Sequence, residues 1–294
     1  MKTAVTGGTG FVGRNLVDRL VAEGHSVTVL THRETGAESH SRAVRFMSGS
    51  VDEIASLKAA FENTDAVYHL VGIIAETETK TFLKTVVAGT ANVVEAARQS
   101  GVRKLLYLSA MGTSENAPSK YHRTKYLAEQ TVAGSGIDYV IYRPSVIYGL
   151  DDGFVSMLAG MITSSPITPV VGSGRYKLQP VYIDDVISAM VQGLTDERVV
   201  NQIIELGGPD ELEYLEIIGI IKKVLDRSTM NFHIPMWVMR MIASVLEKIA
   251  SPAPITRDQL VMMEMGNTGD VSRMKKLFSI DPVPFEKGLR KYLR

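Results

Sequence analysis

The sequence of 294 residues has no cysteine, one tryptophan and no excess of either charge. Without cysteine there is no disulfide, no thiolate metal ligand and no Cys nucleophile. Basic and acidic residues number 32 each, giving a formal net charge of zero, and no basic stripe or acidic tail is present. Charge therefore gives no reason to expect nucleic acid or anionic lipid as a partner. The six histidines show no metal-ligand spacing, so no metal site is expected. No run of about 18 apolar residues marks a transmembrane span. The opening Met1–Thr6 turns at once into glycine and has no apolar signal-peptide core. The expectation is a cytoplasmic protein.

What is present fits one large α/β domain with a smaller appendage. The first half alternates β-rich runs with helical patterns, as βαβ units of a parallel sheet do. Candidate strands are Thr3–Thr6, Ser26–Leu30, Val44–Met47, Ala66–Leu70, Lys104–Leu108 and Tyr139–Tyr142. Several are nearly continuous apolar runs, as strands buried on both faces require. Helical stretches lie between them at Phe11–Glu23, Val51–Phe61, Thr85–Gln99 and Tyr121–Gly134. Gly24, Gly101 and Gly136 each fall between a helix and a strand, where a left-handed cap residue is wanted. Past Gly149 the rhythm breaks. Asp151–Gly174 reads as loop-rich, a strand and helix return over Pro180–Leu194, and Asn201–Leu206 suits one more strand. The remainder is mostly helical and Met-rich. These signals divide the chain into a Rossmann-type domain over 1–150, rejoined by 178–206, and a smaller lobe formed by 151–177 and 207–294.

Gly7-x-x-Gly10-x-x-Gly13 joins a predicted strand to a predicted helix. Glycine there lets the chain turn tightly and bring backbone N–H groups close to a pyrophosphate. The helix start adds unpaired donors and partial positive charge. Thr9, Phe11 and Val12 complete this dinucleotide loop. About 20 residues past the last glycine, where NAD-binding chains place a carboxylate for the ribose, stands Thr31-His32-Arg33. A guanidinium suits a 2′-phosphate, so His32 and Arg33 favour NADP(H), with NAD(H) the alternative.

Tyr121 and Lys125 lie four residues apart, on one side of one helix. A phenol near pKa 10 is a poor base at neutral pH, and a neighbouring ammonium is expected to lower it toward the working range. Asp184-Asp185 reads first as a helix cap tying the sheet to the second lobe, ahead of an acid–base pair. The Ile234–Ala250 stretch carries Met236, Trp237, Met239, Met241, Ile242, Val245 and Leu246 with Arg240 and Lys248. A helix packed in the second lobe is the first reading. A lid over an apolar substrate, a membrane-surface helix and a protein-partner site stay open.

The chain resembles the extended or atypical short-chain dehydrogenase/reductases over nearly its whole length. The resemblance runs through Thr6–Gly13, Val67–Gly72, Tyr121-x-x-x-Lys125, Arg143–Gly149 and Val181–Val186. Gln179–Asp185 and Ile255–Leu260 are most similar to the group of the 39-kilodalton accessory subunit of respiratory complex I and its bacterial relatives. The resemblance implies a seven-stranded doubly wound sheet with a small, mainly helical C-terminal lobe. It also implies a dinucleotide across the carboxyl ends of the strands, with Ser50, Val51, Val71 and Gly72 on the adenosine side. Pro144, Ser145 and Val146 would face the nicotinamide end, while Tyr121, Lys125 and Ser109 would be catalytic, Lys125 also holding the ribose.

Two positions depart from that pattern. Active relatives carry adjacent hydroxyl residues after the fifth strand, but here Ser109 is followed by Ala110, which has no proton to donate to a substrate carbonyl. Ser109 or Thr113 is the available substitute. Nucleotide-sugar enzymes place an arginine where this chain has Leu178, with Arg175 and Lys177 nearby. Three readings follow: an NADP(H)-dependent oxidoreductase acting on a small carbonyl or alcohol, a dinucleotide-binding sensor, assembly factor or scaffold without turnover, and a nucleotide-sugar epimerase or dehydratase.

Overall fold

The computed structural model describes residues 1–32 and 43–293. Its first compact unit comprises Met1–Ile74, Thr79–Arg143 and Ile187–Ile204, and its second Ala75–Glu78, Pro144–Val186 and Glu205–Arg294. The sequence signals had set the first boundary at residue 150.

Strands β1 (Lys2–Thr6), β2 (Ser26–Thr31), β3 (Val44–Ser48), β4 (Ala66–His69), β5 (Lys104–Leu108) and β6 (Asp138–Pro144) lie close to where the apolar runs place them. Helices α1 (Phe11–Ala22), α2 (Ile54–Phe61), α3 (Gly89–Gln99) and α4 (Lys120–Ala133) connect them. A π-helical turn, Leu83–Ala88, runs directly into α3. The sheet has seven strands in the order β11-β6-β5-β4-β1-β2-β3, with β11 at Gln202–Leu206. All pairings from β6 to β3 are parallel. The chain leaves β1 toward one edge and resumes at β4 on the other side of β1. That reversal opens a crevice at the carboxyl ends of the strands, where doubly wound sheets bind ligands.

Both sheet faces are covered, so alternate residues of one strand feed different cores. Ala4, Val67, Leu105 and Ile141 join α2, α3 and α4 through Leu57, Phe61, Val93, Ala97 and Val132. On Tyr68 and Tyr142 the hydroxyls donate to the Met190 and Ala189 carbonyls. These acceptors belong to α6 (Ile183–Gln192). Helix α4 is capped by Ser119, whose hydroxyl accepts from the His122 N–H at 3.1 Å.

The second unit contains β7 (Ile147–Tyr148), α5 (Val155–Ser164), β8 (Ile167–Val171), β9 (Lys177–Leu178) and β10 (Val181–Tyr182). It continues with β12 (Leu212–Glu213), α7 (Tyr214–Val224), β13 (Met230–Ile234), α8 (Met236–Ile249), α9 (Arg257–Met265), α10 (Ser272–Phe278) and α11 (Phe285–Leu289). The loop-rich reading of Asp151–Gly174 is corrected here. Asp152 accepts from the Val155 N–H at 2.6 Å and starts α5, which ends just before Pro166. Pro169 is tolerated in β8 because that strand pairs on one side only, with β13. Punctuation by proline and glycine hid both elements, and the partner strand of β8 lies some 60 residues on.

One buried ion pair fastens α4 to β6. Arg143 grips Glu129 with both Nε and Nη2, and the carboxylate is fully buried. Arg143→Met strands that carboxylate, and an expected loss of about 3–5 kcal/mol follows. Adding Glu129→Leu should restore most of it. Urea denaturation of the single and double variants measures the coupling, and purely additive losses would show that none exists.

Candidate functional site

The crevice after β1 and β4 is shaped by the space its glycines leave. Gly7 has φ +80°, and a Cβ there would stand 3.1 Å from the Leu70 and Val71 backbone. A Cβ on Gly13 would fall 2.2 Å from the Gly7 carbonyl oxygen, so the start of α1 packs directly on the turn. Gly10 precedes α1, and neither a capping side chain nor an acidic residue occupies the first turn of that helix. The N–H groups of that turn therefore keep their electropositive character for a ligand.

The resulting cleft holds about 300 Å³ and is lined by Gly7, Thr9, Gly10, His32, Val51, Val71 and Gly72 among the expected residues. Phe11, Val12 and Gly13 start α1 behind it. Ser50 is spent inside its own turn, accepting from the Asp52 N–H at 3.0 Å. Arg33 lies outside the described residues. Thr31 and His32, at the end of β2, bring no carboxylate to the lining. Asp52 does, beside Lys84 at 3.6 Å. Sequence reasoning missed Asp52, Lys80 and Thr85 as lining residues. Thr85 was legible, because a helix following a parallel strand begins at the carboxyl edge of the sheet.

Lys125 is 3% exposed, and three features surround its ammonium. Nζ donates to the Leu108 carbonyl at 2.8 Å, lies 4.9 Å from the Tyr107 ring centroid and would be 3.4 Å from a Cβ on Gly72. The ammonium thus reaches the cleft wall while its stem stays in the core. Burial lowers its pKa to about 8, against the raising influence of Glu129 one turn on. It remains mostly charged at neutral pH.

Tyr121 is half-buried against Phe82, with ring centroids 6.0 Å apart. Its pKa moves opposite to the expected direction. Burial pushes it up to about 12 and outweighs any influence of Lys125. Ser109 directly follows β5, with its Oγ 3.4 Å from the Thr113 hydroxyl, both buried, while Ala110 adds no polar group. Pro144, Ser145 and Val146 belong to the second unit, where the Ser145 hydroxyl donates to the Asn267 carbonyl at 2.9 Å. In that unit Asp185 accepts from the Val283 N–H at 2.8 Å, and burial raises its pKa.

His69 carries structural weight that the motif reading did not give it. Its Nδ1 is 2.7 Å from the Thr6 hydroxyl and its Nε2 3.0 Å from that of Thr90. Thr90 spends its proton on the Val86 carbonyl at 2.5 Å, so it accepts from Nε2–H, and Nδ1 accepts from Thr6. The neutral ring ties the ends of β1 and β4 to α3 directly under the Gly7 turn. Burial first, then the Lys125 charge, lower its pKa to about 3.

Residues 3–207 match the model of the NAD dependent epimerase/dehydratase family. The mitochondrial NADH dehydrogenase [ubiquinone] 1 alpha subcomplex subunit 9 of Arabidopsis thaliana is 27% identical over 85% of this chain and 65% of its own length. This chain thus spans just under two thirds of that relative. A 4-hydroxy-2-methyl-3-oxo-4-farnesyl-3,4-dihydroquinoline-1-oxide ketoreductase of Stigmatella aurantiaca is 30% identical over 65% of this chain and 64% of its own. Among solved structures, UDP-glucose 4-epimerase of Thermotoga maritima superposes with a TM-score of 0.77 at 21% identity, covering 99% of this chain and 96% of that one. It shares the fold.

The His69 geometry predicts a pH dependence. A folded pKa below the unfolded value gives stability that is complete above pH 6.5 and lost as pH falls toward about 3. By pH 4 this amounts to about 3 kcal/mol, at about 1.4 kcal/mol per pH unit. Guanidinium denaturation at pH 7 and pH 4 should show a smaller loss for His69→Gln than for wild type. Equal losses would remove the buried neutral ring from the account.

Proposed function

The chain belongs to the NAD dependent epimerase/dehydratase family, and on that premise we propose an NADP(H)-dependent oxidoreductase that acts on a carbonyl or alcohol through Tyr121. The observation that carries the reading is Lys125, a buried ammonium held by the Leu108 carbonyl against Gly72 of the glycine-turn cleft. The cleft suits a dinucleotide because its turn has no room for side chains and the helix start behind it carries no cap.

A bound nicotinamide cofactor supplies or accepts the hydride. The residues of this chain do the rest. The Gly7–Gly13 turn and the start of α1 receive the pyrophosphate, and Val51 and Val71 flank the adenosine. Lys125 donates to the ribose hydroxyls of the nicotinamide half. In the reducing direction Tyr121 passes its phenolic proton to the substrate oxygen, and a pKa of about 12 keeps that proton in place beforehand. Ser109 and Thr113 are the hydroxyls available to steady that oxygen where Ala110 offers nothing. Arg33 supports NADP(H) on its sequence position alone. A ketoreductase among the relatives fits carbonyl chemistry and leaves an apolar substrate open.

A second reading, dinucleotide binding without turnover, is favoured by Ala110 and by a relative that is a subunit of NADH dehydrogenase. Nucleotide-sugar epimerisation is weakened by Leu178, which is buried in β9.

Calorimetric titration with NADPH and with NADH tests the cofactor. Tighter NADPH binding that Arg33→Asp weakens at least tenfold, with NADH binding kept, is expected. Equal affinities would remove the role given to Arg33. With carbonyl substrates, Tyr121→Phe should abolish turnover and leave NADPH affinity unchanged. No turnover by wild type despite tight NADPH binding would favour the binding-protein reading, and saturable binding of a nucleotide-sugar would favour the epimerase.

A further inference from the structure

Helix α8 exposes more apolar side chain than it buries. Only Met239 and Ala243 are fully packed, in a small core with Val171 and Leu260. On the other side Trp237, Met241, Val245 and Ile249 recur at every fourth position, and all are exposed, Trp237 at 64% and Ile249 at 73%. That spacing makes one continuous stripe. The strand leading into the helix adds Phe232 and Met230, 61% and 74% exposed, and Met230 pairs in register with exposed Ile167. Scattered apolar residues are normal on a surface, whereas an apolar stripe along a whole helix marks a binding face.

Charge identifies what binds. The acid of the helix, Glu247, is taken by Arg257, which donates to it from both its backbone N–H and Nε at 2.7 Å. Arg240 is paired with Glu264 at 2.6 Å. Helix α8 itself carries Arg240 and Lys248 against Glu247, a balance of one positive charge along the helix. Its bearer, Lys248, has no ion-pair partner among the described residues. Lys248 follows Met241 by seven residues, two turns of helix, and so rises within the apolar stripe. A protein surface without a carboxylate opposite Lys248 would bury that ammonium unpaired, at a cost of several kcal/mol. A bilayer would not, because a lysine stem lies along the acyl boundary while its head reaches the phosphates.

We propose that α8, with Phe232 and Met230 of β13, docks this protein on the surface of an anionic lipid bilayer. The helix has 14 residues and is about 21 Å long, shorter than the hydrocarbon core of about 30 Å, so it lies in the interface and does not span it. Among the described residues no helix is long and apolar enough to cross. The neutral overall charge does not oppose this, because attraction to lipid headgroups decays within about a Debye length and is set by the local face.

The single tryptophan of the chain, Trp237, makes the test direct. Phosphatidylcholine vesicles with and without phosphatidylglycerol are mixed with the full chain, and emission and co-sedimentation are recorded. Anionic vesicles should shift Trp237 emission to the blue and sediment the protein. Lys248→Glu should weaken that binding about tenfold. Met241→Asp with Val245→Asp should abolish it. Both variants alter exposed positions, so circular dichroism and NADPH titration should match wild type. No shift and no sedimentation would overturn the proposal. Equal binding to neutral vesicles would overturn the assignment to anionic lipid. A blue shift without lipid that grows with protein concentration, together with a doubled mass by sedimentation, would assign the face to self-association instead.

Discussion

The closeness of backbone to backbone at the Gly7–Gly13 turn is the constraint on which the carboxyl edge of the first unit depends. Gly13 comes so near the Gly7 carbonyl that a methyl group would overlap it, and Gly7 stands against the peptide between Leu70 and Val71. These two approaches bring the start of α1 down onto the crevice between β1 and β4. They also fix what lies beneath. Thr6 is held under the turn by His69, and His69 reaches Thr90 in α3. Bulk at either glycine would push the helix start away and pull on this chain of bonds. The cleft is thus an outcome of missing side chains, supported by a neutral histidine that cannot take up a proton without losing an acceptor.

A second constraint is electrostatic, and the magnitudes decide it. Burial pulls the Lys125 pKa down by more than two units yet leaves it near 8, so the charge survives at neutral pH. It survives because a carbonyl, an aromatic face and the Glu129 carboxylate all lie around it. Glu129 is in turn matched by Arg143. The inner face of α4 therefore carries a phenol, an ammonium and a carboxylate one turn apart, with the guanidinium of β6 closing the series. The same burial acts on Tyr121 with the opposite consequence, since a phenol is neutral when protonated. One environment keeps the acid protonated and weakens the base.

Much of this was legible in the sequence, for a physical reason. Strands buried on both faces are apolar nearly throughout, and most of these parallel strands are separated by helical patterns, so β1 to β6 announce themselves by composition and spacing. The glycine turn and the Tyr121–Lys125 spacing are local and equally readable. What escaped depends on distant partners. Strand β8 is defined by β13, some 60 residues away, and Pro166 and Pro169 made its surroundings resemble a loop. The role of His69 comes from Thr6 and Thr90 on other elements. The direction of the Tyr121 shift depends on how much protein covers it, which a four-residue spacing does not report. Helix α8 was legible as amphipathic, but which of its faces is covered was not, because two of its methionines face inward or half inward and another faces out.

The proposed function assigns binding and turnover to separable parts of this structure. In it, the glycine turn and the start of α1 receive a dinucleotide without a side chain from the end of β5, which supplies only the Leu108 carbonyl that holds Lys125. In that proposed function Ala110 bears on the charge that develops on a substrate oxygen, and loss of one such donor typically costs about 10²–10³ in rate. Ser109 and Thr113, 3.4 Å apart and buried, are the groups near enough in sequence to replace it. Their separation is at the long end for a hydrogen bond between hydroxyls, so neither proton is firmly committed to the other. A weakly engaged pair can turn toward a substrate oxygen at little cost, whereas a short, linear bond would have to be broken first. Ala110 thus withholds one donor from the proposed site, while the two hydroxyls near it in sequence are only loosely engaged with each other.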